Sequence, residues 1–273
     1  DPRDLHSFPT RRSSDLLLAA AVEARAWLAS PQQRALLARA PYLKVAARLG
    51  ETAGFGYGVA SSMTKVLWQD VPFTGELFGR AEIALAGDEE ESVQIAAITL
   101  RDVKELRAVF AWEDAACPLV AELGWMGHVK TGEPPYAVDY QGWWPDPILD
   151  FLAAVDVPAE RTQALWVTVR APRGAAAGTY RATVHLSCAA GTSHDVPLTV
   201  RVHPFDLPSQ RHLPLAMSWG EMLHTVYGLP GAKRPAYQEA IAADTPPEDV
   251  ADPEVRRLLD IRRRTAEFLL RKR

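Results

Sequence analysis

Cysteine is scarce: the 273 residues hold two, Cys117 and Cys188. Two thiols in a chain this long are not a disulfide framework, so burial of apolar side chains must hold the fold, and whether the two pair stays open. Long apolar runs are missing as well. No stretch approaches the roughly 20 residues that cross a bilayer, so no membrane span is expected. Positive charge is not in excess, since 30 Lys and Arg stand against 34 Asp and Glu for a net charge of -4. Nucleic acid and anionic membranes both need a basic stripe, and neither is expected as a partner. The seven histidines show no HExxH or other ligand spacing, and His185 and His203 alternate onto polar strand faces. GxSxG, Walker and strand-linked GxGxxG motifs are absent too. The expectation is no metal, no cofactor and no nucleotide chemistry.

What is present is globular material, 48% hydrophobic and 23% charged, enough for one large domain or two smaller ones. Its first residues stand apart. RDLHSFPTRRSSDL at 3–16 has no periodicity and joins abruptly to an apolar run over 16–22. Residues 4–16 resemble one reading frame of a widely used sequencing adapter, so 1–16 are expected to be non-native read-through. The biological alternative is a targeting leader, with Arg11 and Arg12 ahead of LLLAAAV. Read-through would have displaced any native leader. Localisation therefore stays open, with a secreted or periplasmic intact protein as one expectation.

Residues 17–53 read as helical, with Leu36, Leu37, Ala40, Leu43 and Ala47 at helical spacing. Ser30 followed by Pro31 resembles an N-cap with proline at the first helical position, so two helices should meet there, and Gly50 supplies the stop.

From residue 54 the texture changes to short β-type runs punctuated by Gly, Pro and Asp, as in an antiparallel sandwich. Strands are expected over 58–62, 64–68, 81–86, 92–100, 106–112 and 123–130. The clearest alternation comes later, in Leu165, Val167 and Val169, in Tyr180, Ala182, Val184 and Leu186, and in Val196, Leu198, Val200 and Val202. The loop over 189–195, with Gly191 near its centre, makes the last two strands antiparallel neighbours. Pro197 inside a strand implies an edge position or an early ladder residue.

Beyond Pro208 the pattern breaks. An apolar stretch over 213–219 reads as a first barrel strand, and 254–273 as an amphipathic helix carrying Val255, Leu258, Leu259, Ala266, Leu269 and Leu270. That helix ends with the chain and without a C-cap, which reads as a truncated domain.

Four pieces occur in order: ESVQIAAI at 91–98, WWPDPILD at 143–150, QALWVTVRAPRGAAAGTYRATVHL at 163–186 and VPLTVRVHPFDLP at 196–208. Together they resemble the N-terminal domain of glycoside hydrolase family 123 and the related domain-of-unknown-function family 4091. Ala182 departs from that pattern, where the family has glycine, and the helical segment before Gly54 has no counterpart in it. The resemblance implies a mainly β chain: an antiparallel β-sandwich over 54–208, preceded by the helical segment and followed over 209–273 by the start of a (β/α) barrel. It further implies that the missing barrel would carry an Asp-Glu pair cleaving N-acetylgalactosaminides, or N-acetylhexosaminides more widely, with help from the substrate's acetamido group. No catalytic residue is expected within this chain, which should be inactive alone. The alternative is a non-catalytic carbohydrate- or protein-binding sandwich of a larger surface protein.

Candidate ligand contacts are few. Tyr140, Trp143 and Trp144 form the densest aromatic cluster, suited either to stacking on a glycan or to plugging the seam between sandwich and barrel. Trp219, Glu221 and His224 follow the first barrel strand, whose C-terminal end would face an active site. The acidic run Asp88, Glu89, Glu90 and Glu91 reads as a solvated turn, and Asp146 between two prolines as a rigid turn capping nearby amides.

Overall fold

The computed structural model describes residues 22, 31–138, 140–208 and 223–271. The chain is mainly β and divides into two compact units between Pro208 and Ser209.

Helix α1 (Pro31–Leu49) opens the described part of the first unit. It stops at Gly50, whose φ of 88° is one that glycine adopts without steric cost, while the Gly50 amide bonds back to Ala46 O at 2.8 Å. Of the expected helix ahead of Ser30 only Val22 is described, as helical and exposed, and the read-through at 1–16 lies outside the described residues. The buried face of α1 differs from the one the spacing suggests. Leu36, Leu37 and Leu43 are exposed, whereas Ala38, Tyr42 and Val45 are buried. Tyr42 and Val45 sit against Ile98 of the sheet, and the Tyr42 hydroxyl reaches Thr162 Oγ1 at 3.2 Å. Contact with the sheet, rather than the count of leucines, selects the face.

Among the described residues eleven strands follow: β1 (Phe55–Ser61), β2 (Glu76–Leu77), β3 (Ala81–Gly87), β4 (Glu89–Thr99), β5 (Val103–Trp112), β6 (Val120–Lys130), β7 (Trp143–Leu149), β8 (Ala154–Val157), β9 (Thr162–Ala171), β10 (Gly178–Ser187) and β11 (Ser193–Asp206). They make a six-stranded sheet in the order β2-β1-β4-β9-β6-β7 and a five-stranded sheet in the order β3-β11-β10-β5-β8. Every pairing is antiparallel except that of β3 with β11. The alternation read in the sequence becomes the core. Leu165, Val167 and Val169 of one sheet join Val184, Leu186, Leu198 and Val200 of the other in a single buried cluster. Each such side chain contributes about 1.5 to 3 kcal/mol by leaving water.

Pro197 lies within the β10–β11 ladder, opposite Thr183, at a position where β11 has a partner on one side only and so is locally an edge. Pairing of β11 with β3 begins only at Leu198, so the missing proline N–H falls ahead of that ladder. Cys117 and Cys188 are free thiols, so the possible disulfide does not form.

Three local expectations change. The acidic turn shrinks to Asp88, at φ 63°, because Glu89, Glu90 and Glu91 belong to β4 and pair with β9. That single residue carries the chain from one sheet to the other. A Cβ on the preceding Gly87 would collide with the Asp206 carboxylate, while Arg173 bonds both Asp88 Oδ2 at 2.6 Å and Leu207 O at 2.8 Å.

The expected strand over 64–68 is absent. That segment crosses the outer face of the six-stranded sheet, burying Val66 and packing Phe73 beside Ala96, Met126 and Ala164. Its carbonyls are satisfied by scattered donors in place of a continuous ladder: buried Gln94 donates to Ser61 O at 2.8 Å and Thr64 O at 2.7 Å, and the Thr162 amide donates to Trp68 O at 3.0 Å.

The WPDP piece is strand β7 rather than a turn, and Asp146 is exposed on it. Two prolines are tolerable there because β7 is an edge strand, with a partner on one side only.

The described part of the second unit is helical: α2 (Leu223–Val226), α3 (Arg234–Ala242), α4 (Pro253–Arg271) and two short 3-10 turns. Its own core joins Leu229, Tyr237, Ala240, Val255, Leu258 and Leu259. Asp252 caps α4 by accepting from the amides of Glu254 at 2.9 Å and Val255 at 3.2 Å. The apolar stretch over 213–219, expected as a barrel strand, lies outside the described residues. Among the described residues no helix is long and apolar enough to cross a membrane.

Candidate functional site

Strand alternation separates the two tryptophans that the sequence places side by side. Trp143 pairs across the ladder with Lys130, two positions beyond His128 on one face of β6, whereas Trp144 pairs with Val129 on the other. Both rings are half-buried. Residues 65–69 run past this edge strand and touch it twice, with Lys65 Nζ 5.3 Å from the Trp144 ring centroid and the Trp68 ring 5.7 Å from that of Trp143, while Tyr140, ahead of the strand, donates its hydroxyl to Gln69 O at 3.4 Å. Tyr140 also meets Trp144 edge-on, with centroids 5.7 Å apart.

Against Trp143, on the His128 face of the ladder, stands a layer the sequence did not single out. Trp68 stacks on His128, centroids 5.5 Å apart and planes 24° from parallel, and the Arg161 guanidinium carbon lies 5.3 Å from the same indole. Trp68 Nε1, His128 Nε2 and Arg161 Nε are all buried without a hydrogen-bond partner among the described residues. A buried polar atom left unpaired costs about 1 to 3 kcal/mol, so three of them around one indole are a concentrated exception to the usual pairing. Burial also draws the His128 pKa down from 6.5 to about 4, which keeps the imidazole neutral near pH 7.

Chemically, the corner offers flat aromatic faces, two N–H donors, an imidazole that can donate or accept, and the Lys65 ammonium at the rim. Among the described residues it holds no carboxylate pair suited to hydrolysis. The other predicted contacts fall elsewhere. Trp219 and Glu221 lie outside the described residues. His224 sits in α2, its ring 6.3 Å from that of buried Tyr237. Trp68 and His128 are 60 positions apart in sequence and meet only because 64–70 folds back over β6, so no linear motif marks them.

No family model matches the chain, and no curated protein matches it. Among solved structures, a family 123 glycoside hydrolase from Clostridium perfringens, studied for glycolipid glycan hydrolysis, is similar at a TM-score of 0.47 and 12% identity, over 66% of this chain and 33% of that one. The secreted serine protease VesC from Vibrio cholerae gives a TM-score of 0.31 at 4% identity over 60% of this chain and 25% of that one. A FixG-related protein from Vibrio parahaemolyticus gives 0.29 at 10% identity over 55% of this chain and 96% of its own. The present chain thus spans about a third of the hydrolase chain, and none of the three likenesses assigns it an activity.

Proposed function

We propose that the chain is part of a carbohydrate-active enzyme, its sandwich the accessory N-terminal domain of a family 123-like glycoside hydrolase acting on N-acetylhexosaminides. The observation that supports this reading is the order of the four motifs, which fall on β4, β7, β9 with β10, and β11, ending at Pro208. On this reading the sandwich is scaffold, and an Asp-Glu pair on a following barrel does the chemistry: Glu protonates the leaving oxygen, and Asp orients the acetamido group that attacks the anomeric carbon.

The test is to read the gene beyond codon 273 from longer genomic sequence and to assay the full product on aryl N-acetylhexosaminides. Adjacent Asp and Glu codons at a barrel-strand end, with aryl release lost on Glu→Gln, are expected. A stop codon or a second sandwich in place of the barrel overturns the reading. The half-buried rings on edge strand β7 favour a second reading, a non-catalytic glycan-binding sandwich, which that same extension would leave standing.

A further inference from the structure

We infer that the cleft at the open edge of the sandwich, where β2 and β3 end their respective sheets, binds an amino sugar carrying a free ammonium group. β2 is the last strand of one sheet and β3 of the other, and a cavity of about 580 Å³ is lined by residues of β1, β2, β3, β4 and the turn joining β2 to β3. Ligand pockets span roughly 300 to 1,000 Å³. The register brings the lining together. Glu76 of β2 pairs with Val59 of β1, and Ser61, two positions further along β1, pairs with Val93 of β4, so these four side chains share one face of the sheet. Val59 and Val93 belong to the core and make an apolar floor. Arg80 and Glu82 line the same cavity from the chain that enters and opens β3.

Two observations set this cleft apart. Charges of opposite sign line it without pairing: among the described residues Glu76, Arg80 and Glu82 form no ion pair and no side-chain hydrogen bond, whereas Arg173 with Asp88, Lys104 with Asp156 and His185 with Asp195 pair on the surface of the same unit. Its wall is also held in an unfavourable conformation. Phe78 keeps φ at 56°, which bulky residues avoid, with its amide bonded to Tyr57 O at 2.9 Å and its ring 4.1 Å from the Arg48 guanidinium carbon. A Cβ on the next residue, Gly79, would stand 2.7 Å from the Glu76 carboxyl carbon, so glycine leaves that carboxylate its place against the wall. With two carboxylates to one guanidinium, the lining favours a cation. An amino sugar matches each group. Its ammonium and hydroxyls donate to the carboxylates, its oxygens accept from Arg80, and its C–H face lies on the valines. Ser61 Oγ already accepts from the Met63 amide at 3.2 Å and keeps its proton to donate. The choice of a sugar over another hydroxylated amine rests on the proposed carbohydrate reading, while the preference for a cation rests on the lining alone.

The test is calorimetric titration of the 273-residue chain at about pH 6, below the ordinary range of amines, with a glucosamine trimer, its fully N-acetylated form and a galacturonate trimer. The glucosamine trimer should bind, the acetylated form about tenfold more weakly because it has lost the charge, and the uronate not at all. Glu76→Gln keeps the shape of the side chain and removes its charge, and should weaken the glucosamine trimer about tenfold. Gly79→Ala should weaken it severalfold while the melting temperature holds, since the added Cβ displaces only the end of the flexible Glu76 side chain. A merely structural glycine would lose stability and leave affinity alone. Asp146→Asn, which removes an exposed carboxylate on β7, should leave binding unchanged. No binding of the glucosamine trimer at millimolar concentration, equal binding of its acetylated form, or an affinity untouched by Glu76→Gln overturns the site. The gene extension decides the catalytic reading separately, whichever way these titrations fall.

Discussion

At the scale of single residues, His128 shows how position on a sheet sets chemistry. Its imidazole is stacked on Trp68 with its Nε2 buried, and desolvation is the cause that lowers its pKa from 6.5 to about 4. In the unfolded chain the same imidazole takes up a proton near its ordinary value. Between pH 6.5 and 4 the unfolded state therefore binds more protons, so this contribution is present above pH 6.5 and is lost as pH falls toward 4. Because the ring is only partly buried, the shift is discounted to a loss of about 1 to 2 kcal/mol. Urea melts at pH 7, 5.5 and 4 should show that loss in the native protein and a smaller one in His128→Phe. Equal pH dependence in the two proteins would remove His128 from the account. Trp143 and Trp144 illustrate the same control of chemistry by position: neighbours in sequence, they acquire different partners because a strand turns successive side chains to opposite faces.

At the scale of elements, the start of the segment joining β1 to β2 is held by one buried side-chain amide, while the Thr162 amide holds Trp68 O further on. Gln94 Nε2 donates to both Ser61 O and Thr64 O, supplying bonds that a strand would have drawn from a ladder. Gln94→Leu leaves both carbonyls without that donor and should cost about 1 to 3 kcal/mol. Hydrogen exchange should accelerate through residues 64–70 more than in β9, because β9 keeps ladders on both sides, to β4 and to β6. Uniform acceleration would mean that Gln94 supports the whole sheet rather than this segment. Thr64, Val66 and Trp68 alternate like a strand, and nothing local shows that Gln94 and the Thr162 amide take the place of a ladder. At WPDP the local signal runs the other way, since two prolines argue for a turn. They are allowed in β7 because it lies at the edge of its sheet, a fact fixed by topology and not by the dipeptides.

At the scale of the whole molecule, stability of the first unit rests on the cluster between the sheets, to which β4, β9, β10 and β11 contribute alternate residues. Leu165 is 1% exposed within it, so Leu165→Ala should cost about 2 to 5 kcal/mol in denaturant unfolding. Val109, on a strand of the same sandwich but 59% exposed, should lose less than about 1 kcal/mol on the same truncation. Comparable losses at the two sites would contradict this assignment of the core.

The alternating strands from β9 to β11, the stop at Gly50 and the mainly β class were legible in the sequence, because period-two burial and a glycine stop are local signals. The face of α1 that packs, the edge position of β7, the one-residue crossing at Asp88 and the meeting of Trp68, His128 and Arg161 were decided only by tertiary structure. Each depends on which distant strand lies alongside, and a linear pattern carries no register between strands so far apart. The candidate site divides the same way: its rim, Tyr140, Trp143 and Trp144, was visible as a run of aromatics, while its floor exists only once residues 65–69 have folded back over β6 and β7.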